Sequence, residues 1–159
     1  MLRSRFFCCL FAGLLGLSVE TCLADGAWSG VDVGPGHAEA NAGYDAPQGL
    51  ARTESRVGQV NVGQGFALGY GPDGLSLSHS IGVSGQNGLL GAAHNFNLSI
   101  GRDGTHVSHG GVQTIGGNSR VLAGGEAHYG PGQLGGGSYT GGFGQNTRAW
   151  SQSRTRRFW

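Results

Sequence analysis

Large apolar residues alternate with glycine, serine and alanine from Phe66 to Ser80, in the string FALGYGPDGLSLSHS, and the rhythm returns thirty residues later as FNLSIGRDGTHVSHG, Phe96 to Gly110. Side chains on a strand point to opposite faces in turn, so a period of two predicts strands with one bulky and one small face. Seven positions recur between the strings: Phe66, Leu68, Gly71, Asp73, Gly74, Ser78 and His79 reappear as Phe96, Leu98, Gly101, Asp103, Gly104, Ser108 and His109. A fixed-period echo of this kind marks a repeated structural unit, here a β-hairpin. Asp-Gly between alternating apolar residues favours a two-residue turn with φ > 0 at both positions. A turn at Asp73-Gly74 sets Tyr70 opposite Leu77, Leu68 opposite His79 and Phe66 opposite Ile81. The second copy, turning at Asp103-Gly104, sets Ile100 opposite Val107 and Leu98 opposite His109. A three-residue loop at Pro72-Asp73-Gly74 would suit the proline, but it would carry Phe66, Leu68 and Tyr70 onto the serine face, and a one-residue slip of that kind is disfavoured. Between the repeats, Asn87-Gly88 with one flanking residue on each side pairs Leu77 with Leu98 and Leu75 with Ile100. Val60 and Val62 share the parity of Phe66 and extend the first strand upstream.

The pattern predicts an all-β chain: a glycine-rich antiparallel β-meander of roughly five to six strands built from this hairpin repeat, flanked by irregular segments. Residues 60–129 form the meander domain, with repeats at 66–80 and 96–110, a turn at Gly116-Gly117-Asn118-Ser119 and a fifth strand from Arg120 to His128. Residues 25–59, broken by Pro35 and Pro47, read as an irregular connector with Trp28 and Tyr44 as anchors and Arg52 to Arg56 as one helical turn. Residues 130–159 read as a glycine-rich segment, either a weak last strand or a flexible tether, and an Arg/aromatic tail. Residues 1–24 carry Arg3 and Arg5 ahead of an apolar run from Phe6 to Leu17, the form of a secretory signal peptide cut before Asp25. Cys8, Cys9 and Cys22 all fall in it, so the exported chain has neither disulfides nor cysteine chemistry. With 34 glycines in 159 residues, a lone hairpin lacks the packing to fold, and three or more strands must share a face.

Charge adds one asymmetry. The chain has no lysine, and Arg148, Arg154, Arg156 and Arg157 crowd the last stretch with Trp150, Phe158 and Trp159 and no acid. Such a tail suits contact with an anionic surface. The remainder is acidic, which argues against nucleic-acid binding. His79, His94 and His109 recur every fifteen residues on the bulky face. If the fifth strand pairs beside the fourth, His109 stands opposite Glu126 and diagonal to His128, a donor set known in metal sites. Half-buried imidazoles packing by their ring faces is the expected role instead, and no metal, cofactor or catalytic residue is assigned. Glycine strings such as 63–71 do not open a helix after a strand, and no Gly-x-Ser-x-Gly elbow is present, so neither a phosphate cradle nor a hydrolase is indicated.

Gly74-Leu75-Ser76-Leu77 and the hairpin rhythm to about Gly111 resemble the attacins, secreted glycine-rich antibacterial proteins, over about a third of the chain. The resemblance implies an envelope-directed effector, although the near-neutral exported chain departs from a cationic one. Two roles outside the cytoplasm follow: a non-enzymatic structural or surface-interaction protein, self-associating through sheet edges or through its small-residue face, or a membrane-associated protein such as a small barrel or an attacin-like effector.

Overall fold

The computed structural model describes residues 24–158. All but the last residue of the expected leader, with its three cysteines, lies outside them. The described chain is all-β. Its strands are β1 (Asp25–Gly34), β2 (His37–Asp45), β3 (Gln48–Arg56), β4 (Val60–Gly71), β5 (Gly74–Gly85), β6 (Leu90–Gly101), β7 (Gly104–Ile115), β8 (Arg120–Gly130), β9 (Gln133–Phe143) and β10 (Asn146–Arg157). Two antiparallel sheets stack as a sandwich, one ordered β2-β1-β8-β9 and the other β10-β7-β6-β5-β4-β3. Strands β1 to β7 run as a meander that passes from the smaller sheet to the larger between β2 and β3. The chain then crosses back through residues 116–119, and β8, β9 and β10 fill the perimeter between β1 and β7.

The meander is therefore longer than the five to six strands expected. The presumed connector, 25–59, supplies β1, β2 and β3, with no helical turn at Arg52 to Arg56, and 130–157 supplies β9 and β10. Glycine and alanine have poor strand propensity, but propensity yields to packing where small residues lie beneath another group. Trp28 shows how: its indole lies over Gly43 on the neighbouring strand, where a Cβ would meet ring atom Cε2 at 2.6 Å.

The turns are set one residue earlier than expected, which shifts the strand pairing by two. Pro72-Asp73 and Arg102-Asp103 close the hairpins, giving Tyr70 opposite Leu75, Leu68 opposite Leu77 and Phe66 opposite His79, then Ile100 opposite Thr105 and Leu98 opposite Val107. A shift of two preserves the faces, and it seats proline at the second turn position, which its fixed φ suits. Gly74 accordingly lies in β5 and is not one of the left-handed glycines. Its missing Cβ makes room instead for the Ile100 carbonyl and the ring of Tyr129, whose Cδ2 it would meet at 2.9 Å. The Asn87-Gly88 register is as expected, with Leu77 opposite Leu98 and Leu75 opposite Ile100, and β4 begins at Val60.

The small-residue face of β4–β7 is the buried one. Ser76, Ser78, Ser80, Ser84, Asn95, Asn97, Ser99 and Ser108 are all buried, facing Ser29, Val31 and Val33 of β1 and Ala123 and Ala127 of β8. At one end Val31, Val33, Ala93, Val112, Val121 and Ala123 form an apolar plug, and Tyr129 closes the other end. Between them runs a polar layer. Ser29 Oγ lies 2.8 Å from both Ser78 Oγ and Ser80 Oγ, Ser78 donates to Asn97 Oδ1 at 2.6 Å, and the Asn95 amide donates to Ser80 Oγ at 2.8 Å. Ser138 of β9 donates to Asn95 Oδ1 at 3.0 Å. The hydroxyls and amides thus satisfy one another across both sheets, as burial requires. The close approach depends on missing side chains: a Cβ at Gly125 would lie 2.6 Å from Asn95 Oδ1.

Candidate docking face

With the small residues inside, the bulky face of the repeat looks outward. Antiparallel pairing across the six-stranded sheet lines its outer side chains into rows. Leu50, Leu68, Leu77, Leu98 and Val107 stand side by side on β3, β4, β5, β6 and β7, and Arg154 of β10 ends the row. The next row runs Arg52, Phe66, His79, Phe96, His109 and Gln152. On the other side of the leucine row stand Tyr70, Leu75 and Ile100. Leu50 is 57% exposed, Tyr70 44% and Ile100 40%, values far above those of core residues. Isolated exposed apolar side chains are ordinary, whereas a contiguous field several strands wide marks an interaction surface.

Arginine borders the field on both edges. Arg52 and Arg56 stand on β3, and Arg148, Arg154 and Arg156 on β10. Glu54 is the acid among these rows, so five Arg against one Glu leave the face at +4. Arg157 has the opposite parity on β10 and does not share the face. The outer face of the four-stranded sheet is the reverse: Asp32, Glu39, Asp45 and Glu126 against Arg120, four acids less one base, or −3. Arg120 is paired bidentately with Asp32. The molecule is thus polarised in charge through its thickness, apolar and cationic on one side and acidic on the other, where Trp28, Tyr139 and Phe143 are also exposed.

The three periodic histidines fall in the middle of the apolar field. His94 and His109 have ring centroids 6.2 Å apart, and both pack on Trp150 of β10, at 5.9 Å and 5.1 Å, the second edge-on. His79 lies 6.4 Å from the Phe66 ring and accepts at Nε2 from the Gln64 amide at 3.1 Å. Burial holds the His79 pKa below the usual imidazole value. The same burial, reinforced by His109 and His79, lowers that of His94. Aromatic packing of the imidazoles is what the sequence suggests. The metal alternative fails on topology: β8 belongs to the other sheet, so Glu126 and His128 sit on the far side of the sandwich from His109, which faces Gln152 instead. Among the described residues no three His, Cys, Asp or Glu side chains converge as a metal site.

The sequence pointed to the β10 arginines and to the bulky face, but not to Leu50, Arg52 and Arg56. The signal for them was the parity of Leu50, Arg52, Glu54 and Arg56, a weak alternation in which one residue of four is apolar. No protein-family model, no curated protein and no solved structure matches the chain.

Proposed function

We propose that this chain acts outside the cytoplasm as a non-enzymatic surface-attachment protein, laying the outer face of its six-stranded sheet on an anionic lipid layer. The observation that carries the reading is the apolar row from Leu50 to Val107 with arginines at both margins. Burying apolar surface is worth about 25 cal/mol per Å², and each arginine beside an anionic leaflet adds about 1 kcal/mol. Hydrophobic contact and charge attraction together give the two signals that stable peripheral binding needs. The antibacterial role implied by the resemblance to attacins would begin with the same contact. A bilayer-spanning barrel would need an apolar belt all round, and Asp32, Glu39, Asp45 and Glu126 occupy half of the circumference.

Sedimentation with lipid vesicles tests the reading. The protein should partition onto vesicles rich in phosphatidylglycerol, weakly onto phosphatidylcholine, and less as salt rises from 0.05 to 0.5 M, since about 3 Å of screening length remains near 1 M. Leu68→Glu with Leu98→Glu should abolish binding while thermal unfolding stays cooperative. Equal binding by this variant, or no binding to anionic vesicles, would overturn the proposal. The opposite charges of the two outer faces favour a second reading, in which copies stack face to back in an open heterologous array. Concentration-dependent size in lipid-free buffer, lost in high salt, would select it.

A further inference from the structure

One part of the docking face is hollow. In the row holding Ile81, His94, Gly111 and Trp150 and the row holding Val83, Ala92, Gln113 and Arg148, Ala92 and Gly111 replace the large side chains found elsewhere. The result is a depression of about 270 Å³, walled by Ile81 and Val83 on one side and by His94 and Trp150 on the other. Gly111 shapes one wall by letting the Trp150 indole lie against the sheet, since a Cβ there would come within 3.0 Å of the indole nitrogen, and Ala92 leaves the floor open. Ligand pockets usually measure about 300–1,000 Å³, so the hollow suits a slender chain better than a fused ring system. Its rim is cationic. Arg148 stands directly across the ladder from the lining residue Gln113, and no carboxylate shares the outer face of β5, β6, β7 or β10.

We propose that this hollow seats a single acyl chain of an anionic lipid, the chain lying over Ala92 beside Trp150 and the head group meeting Arg148. The inference rests on the lipid-docking reading of the whole face and deepens it: a flat sheet would only touch the membrane surface, whereas the hollow withdraws one chain from it. The burial that lowers the His94 pKa favours its neutral imidazole, which is compatible with a hydrocarbon neighbour. Apart from His94, the titratable groups of this part of the face are His79 on β5, His109 on β7 and Arg148 on β10.

The test uses full-length protein with Trp28→Phe and Trp159→Phe, so that Trp150 alone reports, titrated with decanoate below its micelle concentration. A saturable one-to-one change in Trp150 emission is expected. Ala92→Leu, which fills the hollow from the solvent side, should weaken it at least tenfold while thermal unfolding stays cooperative. Arg148→Gln, at an exposed edge position, should weaken decanoate severalfold and leave decyltrimethylammonium, itself a poor ligand, unchanged. A linear, unsaturable response, or equal affinities in both variants, would overturn the assignment. Saturable decanoate binding without vesicle binding would retain the hollow and remove the membrane reading, so the two failures are separable.

Discussion

Asn97 illustrates what a core of small polar side chains demands of each member. It is fully buried, accepts from Ser78 at 2.6 Å, and its amide reaches Asn95 and the Gly137 carbonyl, the latter at 2.9 Å. Replacing it with leucine removes one partner from several buried groups at once, and an orphaned buried polar group costs about 1–3 kcal/mol. Asn97→Leu should therefore lower the denaturation midpoint by an amount in or above that range, whereas a loss below about 0.5 kcal/mol would mean that water replaces the network. The half-buried imidazoles act differently. Because the folded state lowers the pKa of His79 and His94, their contribution to stability is complete above the unfolded value near 6.5 and is lost as pH falls through the lowered folded values. The melting temperature should fall between pH 7 and pH 5, and the double variant His79→Gln, His94→Gln should flatten that slope; an unchanged slope would assign the acid sensitivity elsewhere.

At the scale of elements, the repeated hairpin was legible from alternation and turn residues, though its turns were displaced by one position and its pairing therefore by two. Asp-Gly normally makes the turn itself, but here each glycine is the first strand residue after it. What moved it is a tertiary demand: β5 must pass close under Ile100 and beside Tyr129, and only glycine leaves room. Gly74→Val should accordingly destabilise by about 1–3 kcal/mol through overpacking, and Gly74→Ala by part of that. If the cause were a left-handed backbone instead, alanine and valine would cost nearly the same, so comparing the two by equilibrium unfolding discriminates. Strands β1, β2, β3 and β10 escaped notice, and β9 was legible only as a weak last strand or a tether, for the complementary reason. Their pattern is set by glycines covered by aromatic rings such as Trp28 over Gly43 and by arginines at an edge, and neither leaves a hydrophobic alternation to read.

For the whole molecule, the decisive fact is which face of the larger sheet is covered. The serine and glycine face that could have accepted a second copy is occupied by the chain's own β1, β2, β8 and β9, leaving the sheet edges and the two outer faces for partners. The bulky face is thereby turned to solvent, and the arginines of β3 and β10, nearly a hundred residues apart in sequence, become its two borders. Sidedness of this kind predicts attachment in one orientation, with Trp150 near lipid and Trp28, on the opposite face, in water. Alternation determined that the chain is β-structured and that bulky and small residues separate to opposite faces, because strand geometry enforces a period of two wherever neighbours pair, and the Asn87-Gly88 turn added that Leu77 meets Leu98. Only the tertiary structure decided which face is the core. Alternation is symmetric between inside and outside, and the choice was made by a second sheet whose glycines and serines could interlock with the first at close range and satisfy every buried hydroxyl in the polar layer described above.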